Sequence, residues 1–321
     1  MKSPYKSLFL FLMVMSTCMV LSSSTWLMTW MGLEINMLGF IPLMYLEGTT
    51  NESETATKYL VPQALGSTIF IASAMTTLHS NNFQILMPIA LCLKLGAAPL
   101  HFWFPPVMAS LPLLPTFLLL TWQKIAPIFA IASLPSTLSA KILPIAAISA
   151  LWGGIAGVNQ TDIRSLLTYS SIAHTGWMLA SIDSSAPTLT LYLTTYILIT
   201  VSIYLCLIKQ CTESHKQLFS FKEPYDSLLL IIALLSLSGL PPLTGFMMKL
   251  LVLYFTKAST MIILTLILGA MTSLLYYLSL TLSPLSHTNK LHFSKLSITA
   301  KASTMFLLSQ LLPLSLIIFF F

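Results

Sequence analysis

Apolar residues in this chain gather into runs of 18 to 25, separated by short polar segments. As helix, a run of that length spans roughly 30 Å of hydrocarbon. Eleven such spans are predicted, at about 8–23, 26–46, 58–78, 84–108, 113–134, 141–158, 163–182, 187–208, 225–255, 259–282 and 302–321. The predicted fold class is therefore all-α, a polytopic membrane protein of about 11 transmembrane helices forming a single domain over 1–321. The first run continues from Leu8 without an A-x-A-like cleavage site and reads as a retained helix. The longest polar stretches, 47–57, 209–224 and 284–301, read as loops too short to form a soluble domain.

Two spans are interrupted. The fourth carries KLGAAPLHFWFPP (94–106), with Pro99, Pro105 and Pro106, and the ninth carries SGLPPLTGFMMK (238–249), with Gly239, Pro241, Pro242 and Gly245. Proline removes an amide donor and clashes with the preceding turn, and glycine loosens the helix. Broken backbone at membrane depth survives only where protein or internal water satisfies the freed groups. The two broken spans are five apart. That spacing predicts two five-helix repeats, about 8–134 and 141–282, followed by a final helix at 302–321. Because five is odd, the second repeat is inverted, the pattern of transporters with a site near the midplane.

Composition supports the membrane reading: 56% of residues are hydrophobic and 7% charged, against about 25% charged in soluble domains. Net charge +6 is a topology signal. Ten of the 15 basic residues fall on the N-terminal side of the predicted spans, two (Lys141 and Lys257) on the far side and three within spans. The positive-inside rule places the N-terminus on the cytoplasm- or matrix-like side, and an odd span count places the C-terminus opposite.

The three lysines within spans are Lys94, Lys124 and Lys249, and Glu34 lies mid-span in the same way. Each ionisable group at a bilayer centre costs about 2.5–3.5 kcal/mol, so four together call for roughly 10–14 kcal/mol of compensation. Intramembrane charges mark ion and proton pathways. Burial and a nearby carboxylate act in opposite senses on a lysine's proton, so a Glu–Lys pair that tightens and loosens is a protonation switch. The expectation is that Glu34 pairs with Lys94, Lys94 exchanges its proton with Lys124 through waters and hydroxyls, and Lys249 ends the row. Static salt bridges remain the plain alternative for Glu34, and a water-reaching structural role for Lys249.

His101, beside the first break, and His174, in YSSIAHTGW (169–177), are candidate relays with Tyr169, Ser170, Ser171 and Thr175. A packed, hydrogen-bonded histidine explains each equally well. His79, His215, His287 and His292 fall in predicted loops, and Asp162 and Arg164 suit capping and anchoring at the membrane surface. Gly153 and Gly157 form a GxxxG pair read as close helix packing. Four scattered cysteines, with no CxxC pair, give no metal, iron–sulfur, haem or disulfide framework. With no P-loop, nucleotide-driven pumping gets no support, so a partner or an ion gradient must supply the energy.

GLEIN (32–36), LKLGAAPLHFWFP (93–105), LTWQKIAP (120–127), NQTDIRSLLTYSSIAHTGWM (159–178) and GLPPLTGFMMK (239–249) resemble, in order and over essentially the whole chain, the chain 2 family of NADH–ubiquinone oxidoreductase. These are the antiporter-like membrane subunits of mitochondrial respiratory complex I. The resemblance implies that Glu34, Lys94, Lys124 and Lys249 are the central charged row of a proton-translocating subunit. It also implies a mitochondrial inner-membrane location, other membrane-arm subunits and lipids as partners, and no nucleic acid. No cofactor is implied in this chain: NADH, FMN, iron–sulfur clusters and ubiquinone belong to partner subunits. Ser165 departs from the family pattern, where that position is commonly basic; it lies at the predicted surface, away from the row. Two other readings compete, a subunit of a multi-subunit sodium/proton antiporter and a static spacer of the membrane arm.

Overall fold

The predicted spans between 8 and 282 are helical over most of their described lengths, two of them interrupted, in the computed structural model, which describes residues 4–45, 50–77, 85–210 and 224–288. The predicted last helix, 302–321, lies outside the described residues. Among the described residues, five helical segments are long and apolar enough to cross a bilayer: Tyr5–Ser22, Trp26–Met44, Leu113–Ala132, Ala186–Ile208 and Thr260–Leu282. Large apolar side chains such as Leu8, Phe11, Leu264 and Leu275 are exposed on them, as a hydrocarbon solvent requires.

Residues divide into two compact units, Met1–Ser149 and Ala150–Phe321. The first contains α1 (Pro4–Ser22), α2 (Trp26–Met44), α3 (Thr50–Thr77), α4 (Leu86–Leu95), α5 (Phe104–Ser110), α6 (Leu113–Leu120) and α7 (Trp122–Ala132). Helix α8 (Ser136–Gly157) runs across the boundary between units. The second contains its end, α9 (Ile163–Ser184), α10 (Ala186–Gln210), α11 (Pro224–Ser238), α12 (Thr244–Phe255) and α13 (Thr260–Thr288).

In the first unit α1 packs on α2, α2 on α3, α3 on both α4 and α5, and α7 on α1, α2 and α4. In the second, α9 packs on α10, α10 on both α11 and α12, and α13 on α9 and α11. The end of α8 completes the second set. A methyl on Gly153 would lie 2.5 Å from Ala173 N of α9, and one on Gly157 would lie 2.8 Å from the Tyr276 ring of α13. The GxxxG pair thus serves close helix packing, as the spacing predicts. Five of these relations have counterparts in the second unit: α2 on α3 as α9 on α10, α3 on α4 and α5 as α10 on α11 and α12, and α7 on α2 and α4 as α13 on α9 and α11.

Three boundaries differ from the sequence expectation. Helix α3 starts at Thr50, inside the predicted 47–57 loop. Glu52 stands in its first turn, where a carboxylate complements the helix dipole, and the Lys58 ammonium lies 2.6 Å from the Glu54 carboxylate one turn away. That ammonium holds the Glu54 carboxyl below its ordinary value. Helix α13 likewise runs to Thr288, into the predicted 284–301 loop. The fifth span, predicted as one helix, is split at Thr121 into α6 and α7. Pro127 has no N–H for the Gln123 carbonyl, and Thr121 Oγ1 bonds back to Phe117 O at 2.7 Å, so the ladder is weakened on both sides.

Candidate charge-transfer site

Both predicted breaks are present, and both are made by a glycine. Helix α4 ends at Gly96, φ +70°, with Gly96 N–H donating to Leu93 O (3.2 Å) and Ala97 N–H to Cys92 O (3.0 Å). Helix α11 ends at Gly239, φ +85°, with Gly239 N–H donating to Ser236 O (3.1 Å) and Leu240 N–H to Leu235 O (3.3 Å). These are two copies of the Schellman motif, which needs a left-handed residue and so favours glycine. The prolines play other parts. Pro99 and the Pro241–Pro242 pair lie in the turns that follow, while Pro105 and Pro106 open α5, where a missing N–H is harmless. Gly245 does not break the helix. It sits in the first turn of α12, where a methyl would collide with Ser236 O of α11.

A Schellman motif leaves the last carbonyls of the half-helix without helical partners, and the two breaks satisfy them differently. At the first, Gln63 Nε2 of α3 donates to Lys94 O at 3.0 Å and Trp103 Nε1 donates to Leu93 O at 3.1 Å. At the second, Lys249 Nζ of α12 donates to Ser238 O at 2.8 Å and to Leu237 O at 3.5 Å. The Lys249 ammonium also lies 5.9 Å from the centre of the Trp177 ring, within cation–π range. Lys249 is 6% exposed and caps a helix end, where cations are favoured. Gly239→Ala should cost about 1–2 kcal/mol through its left-handed backbone alone. A methyl there would also come within 3.1 Å of the Lys249 ammonium, and the expected readout is a lower melting temperature of the assembled complex.

Lys94 and Lys124 come together. Both are buried, at 6% and 3% exposure, and both line one cavity with Asn36, Tyr59, Gln63 and Gln123. Its volume, about 20 Å³ open to the centre of a water molecule, is enough for a water. Gln123 Nε2 donates to Asn36 Oδ1 at 3.3 Å across it. No described protein atom accepts a hydrogen bond from Lys94 Nζ. Glu34 is half-buried on α2, and no ion pair within 4.0 Å forms between it and Lys94.

The histidines part company. His174 Nδ1 shares a hydrogen bond with the Tyr192 hydroxyl at 2.8 Å, and its ring lies 5.2 Å from that of Tyr196. Ser170 and Ser171 bond back to Leu167 O and Thr168 O within α9, and Tyr169 is half-buried beside them. His101 is buried in the turn after the first break, its ring stacked on Phe102 at 4.8 Å. His79, His215, His287 and His292 fall outside the described side chains. Sequence reasoning missed Asn36, Gln63 and Gln123 as cavity residues and Tyr192 as the partner of His174. The amides were visible as polar residues inside apolar runs, whereas nothing local singles out Tyr192.

Residues 23–276 match the family model described as NADH:quinone oxidoreductase/Mrp antiporter, TM. The NADH–ubiquinone oxidoreductase chain 2 of Loxodonta africana is 37% identical over 335 residues, covering 96% of each chain. That of Lumbricus terrestris is 36% identical over 292 residues, covering 88% of this chain and 87% of its own. The chain belongs to the NADH–ubiquinone oxidoreductase chain 2 family. Among solved structures, a chain of respiratory complex I from Thermus thermophilus superposes with a TM-score of 0.85 at 25% identity, over 98% of this chain and 79% of that one. A chain of the Mrp complex from Dietzia sp. shares the fold alone, with a TM-score of 0.71 at 16% identity, over 90% of this chain and 61% of that one. This chain 2 protein is thus an integral membrane protein of a kind that sits among other membrane-arm subunits. Among the described residues no cluster of metal-ligating side chains occurs.

Proposed function

We propose that Glu34, Lys94, Lys124 and Lys249 are the proton-carrying row of this complex I membrane-arm subunit, and that NADH oxidation and ubiquinone reduction in partner subunits drive it. The observation that carries the reading is the cavity that Lys94 and Lys124 share: two buried lysines, three side-chain amides and room for water join groups that a dry interior would isolate. A proton lost by one lysine through that water has the other as its acceptor, and the Glu34 charge biases which of them holds it. His174, hydrogen-bonded to Tyr192, is a relay of the same kind further along the chain.

The reading extends to architecture. The recurring neighbour scheme and the paired Schellman breaks support two five-helix repeats within one transmembrane domain, the second inverted because five passes are odd in number. About 11 spans, counting 302–321, put the N-terminus on the matrix side of the mitochondrial inner membrane and the C-terminus on the intermembrane-space side. NADH, FMN, iron–sulfur clusters and ubiquinone reside in the partners.

The test is Glu34→Gln in the assembled, reconstituted complex. Loss of one partly solvated charge partner, worth about 1 kcal/mol, is expected to lower proton-coupled turnover about fivefold with assembly unchanged. Wild-type pumping per electron pair in this variant would sink the role of Glu34 and favour the static spacer. Sodium exchange independent of NADH would favour the antiporter reading.

A further inference from the structure

The two lysines nearest the breaks are held in opposite ways, and the difference lies in α3. Lys249 spends its ammonium on the carbonyls of its own break. At the first break the carbonyl equivalent to that of Leu237 is that of Lys94, and it accepts from the neutral Gln63 Nε2, while the neutral Trp103 Nε1 donates to Leu93 O. Gln63 is 6% exposed, so its amide is fixed by the protein, and it also lines the cavity that Lys94 and Lys124 share. One turn further along α3, Gly66 is the close-approach point: a methyl there would lie 2.9 Å from Lys94 Cγ and 3.3 Å from Ala90 O. Gln63 and Gly66 are three residues apart and so present one face of the helix to Lys94. The turn is braced from the other side by a chain of edge-to-face rings, Phe40 on Tyr59 at 5.2 Å and Tyr59 on Trp103 at 5.7 Å.

We propose that Gln63 and Gly66 are positioning residues for Lys94. The amide caps the broken helix with a neutral donor, and the glycine admits the aliphatic stem of the lysine. Together they leave the ammonium uncommitted to backbone and directed to the cavity shared with Lys124. Without the Gln63 amide, the Lys94 carbonyl lacks its partner in a buried site, and the end of α4 that carries Lys94 loses its tie to α3. The Lys94 stem would then lose its fixed seat against α3, its ammonium would no longer be held toward the cavity, and proton exchange with Lys124 would slow.

This inference rests on the reading that Lys94 belongs to the proton row, and the experiment keeps the two apart. The assembled complex carrying Gln63→Met, near-isosteric but without a donor, is compared with the Lys94→Met complex and with wild type across pH. Gln63→Met is expected to lower coupled turnover about three- to tenfold, the factor one net hydrogen bond is worth. It is also expected to displace one limb of the pH profile by about half a unit or more, because the altered group titrates in the cycle. Gln63→Asn, which withdraws the donor while keeping an amide, is expected to do the same to a smaller degree, and it serves if Gln63→Met fails to assemble. A uniform drop at every pH, or wild-type behaviour in both variants, would overturn the positioning role while Lys94→Met still abolishes pumping. Full pumping by Lys94→Met would overturn the underlying reading itself.

Discussion

Lys124→Met is expected to lower proton translocation by about tenfold or more, with the assembled complex present at wild-type amount. The side chain is 3% exposed on α7, one turn after the split at Thr121, and it shares the cavity with Lys94. Methionine has nearly the same length and removes an ionisable group whose burial costs about 2.5–3.5 kcal/mol, which offsets the loss of the lysine's own contacts to the fold. A defect confined to translocation would therefore report on chemistry. Lys124→Arg sharpens the test. Arginine keeps the positive charge but cannot release its proton in a protein, so a row that works by exchanging protons should fail with it as well. A scaffold that needs only a fixed cation should accept it. The measurement is proton uptake per electron pair in reconstituted vesicles, alongside the NADH:quinone rate. Arginine at 124 that pumps like wild type would end the proposal that this position changes its protonation state.

What the sequence reveals depends on whether the signal is local. Three lysines in oil and two proline- and glycine-rich interruptions are local, and in the fold the lysines are buried and the interruptions end helices. The split at Thr121 has no glycine and its proline lies six residues later, so hydropathy smooths it over. The roles of the individual prolines are also non-local. Pro105 and Pro106 begin a helix because the chain has already been turned by Gly96, and only the backbone shows that order of cause. The largest gap concerns partners. Gln63 meets the Lys94 carbonyl across 31 residues and Gln123 meets Asn36 across 87, separations at which no periodicity or motif speaks. Glu34 and Lys94 illustrate the converse: both charges are legible in the chain, and so is a separation too long for a direct ion pair.

Gly153→Val is expected to remove most of the assembled complex. The Cβ of any residue at 153 would lie 2.5 Å from Ala173 N and 2.6 Å from Tyr169 O, both backbone atoms of α9, so no side-chain rotation relieves the clash. The helices would have to separate, and overpacking that cannot relax costs about 1–3 kcal/mol or more, a large share of an ordinary domain's stability. Without a hydrophobic drive between helices in lipid, close backbone packing at small residues is a main source of association, so the loss is not made up elsewhere. Gly32→Ala is the matched control. Its nearest obstacle is Val20 Cγ2 at 2.5 Å, the end of a side chain, and the next are Ser16 O at 3.2 Å and Val20 N at 3.3 Å. Rotation of the valine and a shift of a few tenths of an ångström accommodate the methyl, so near-wild-type assembly is expected there. Native gels of membranes carrying each variant compare the two. Equal assembly in both would mean that the contact of α8 with α9 does not hold this unit together.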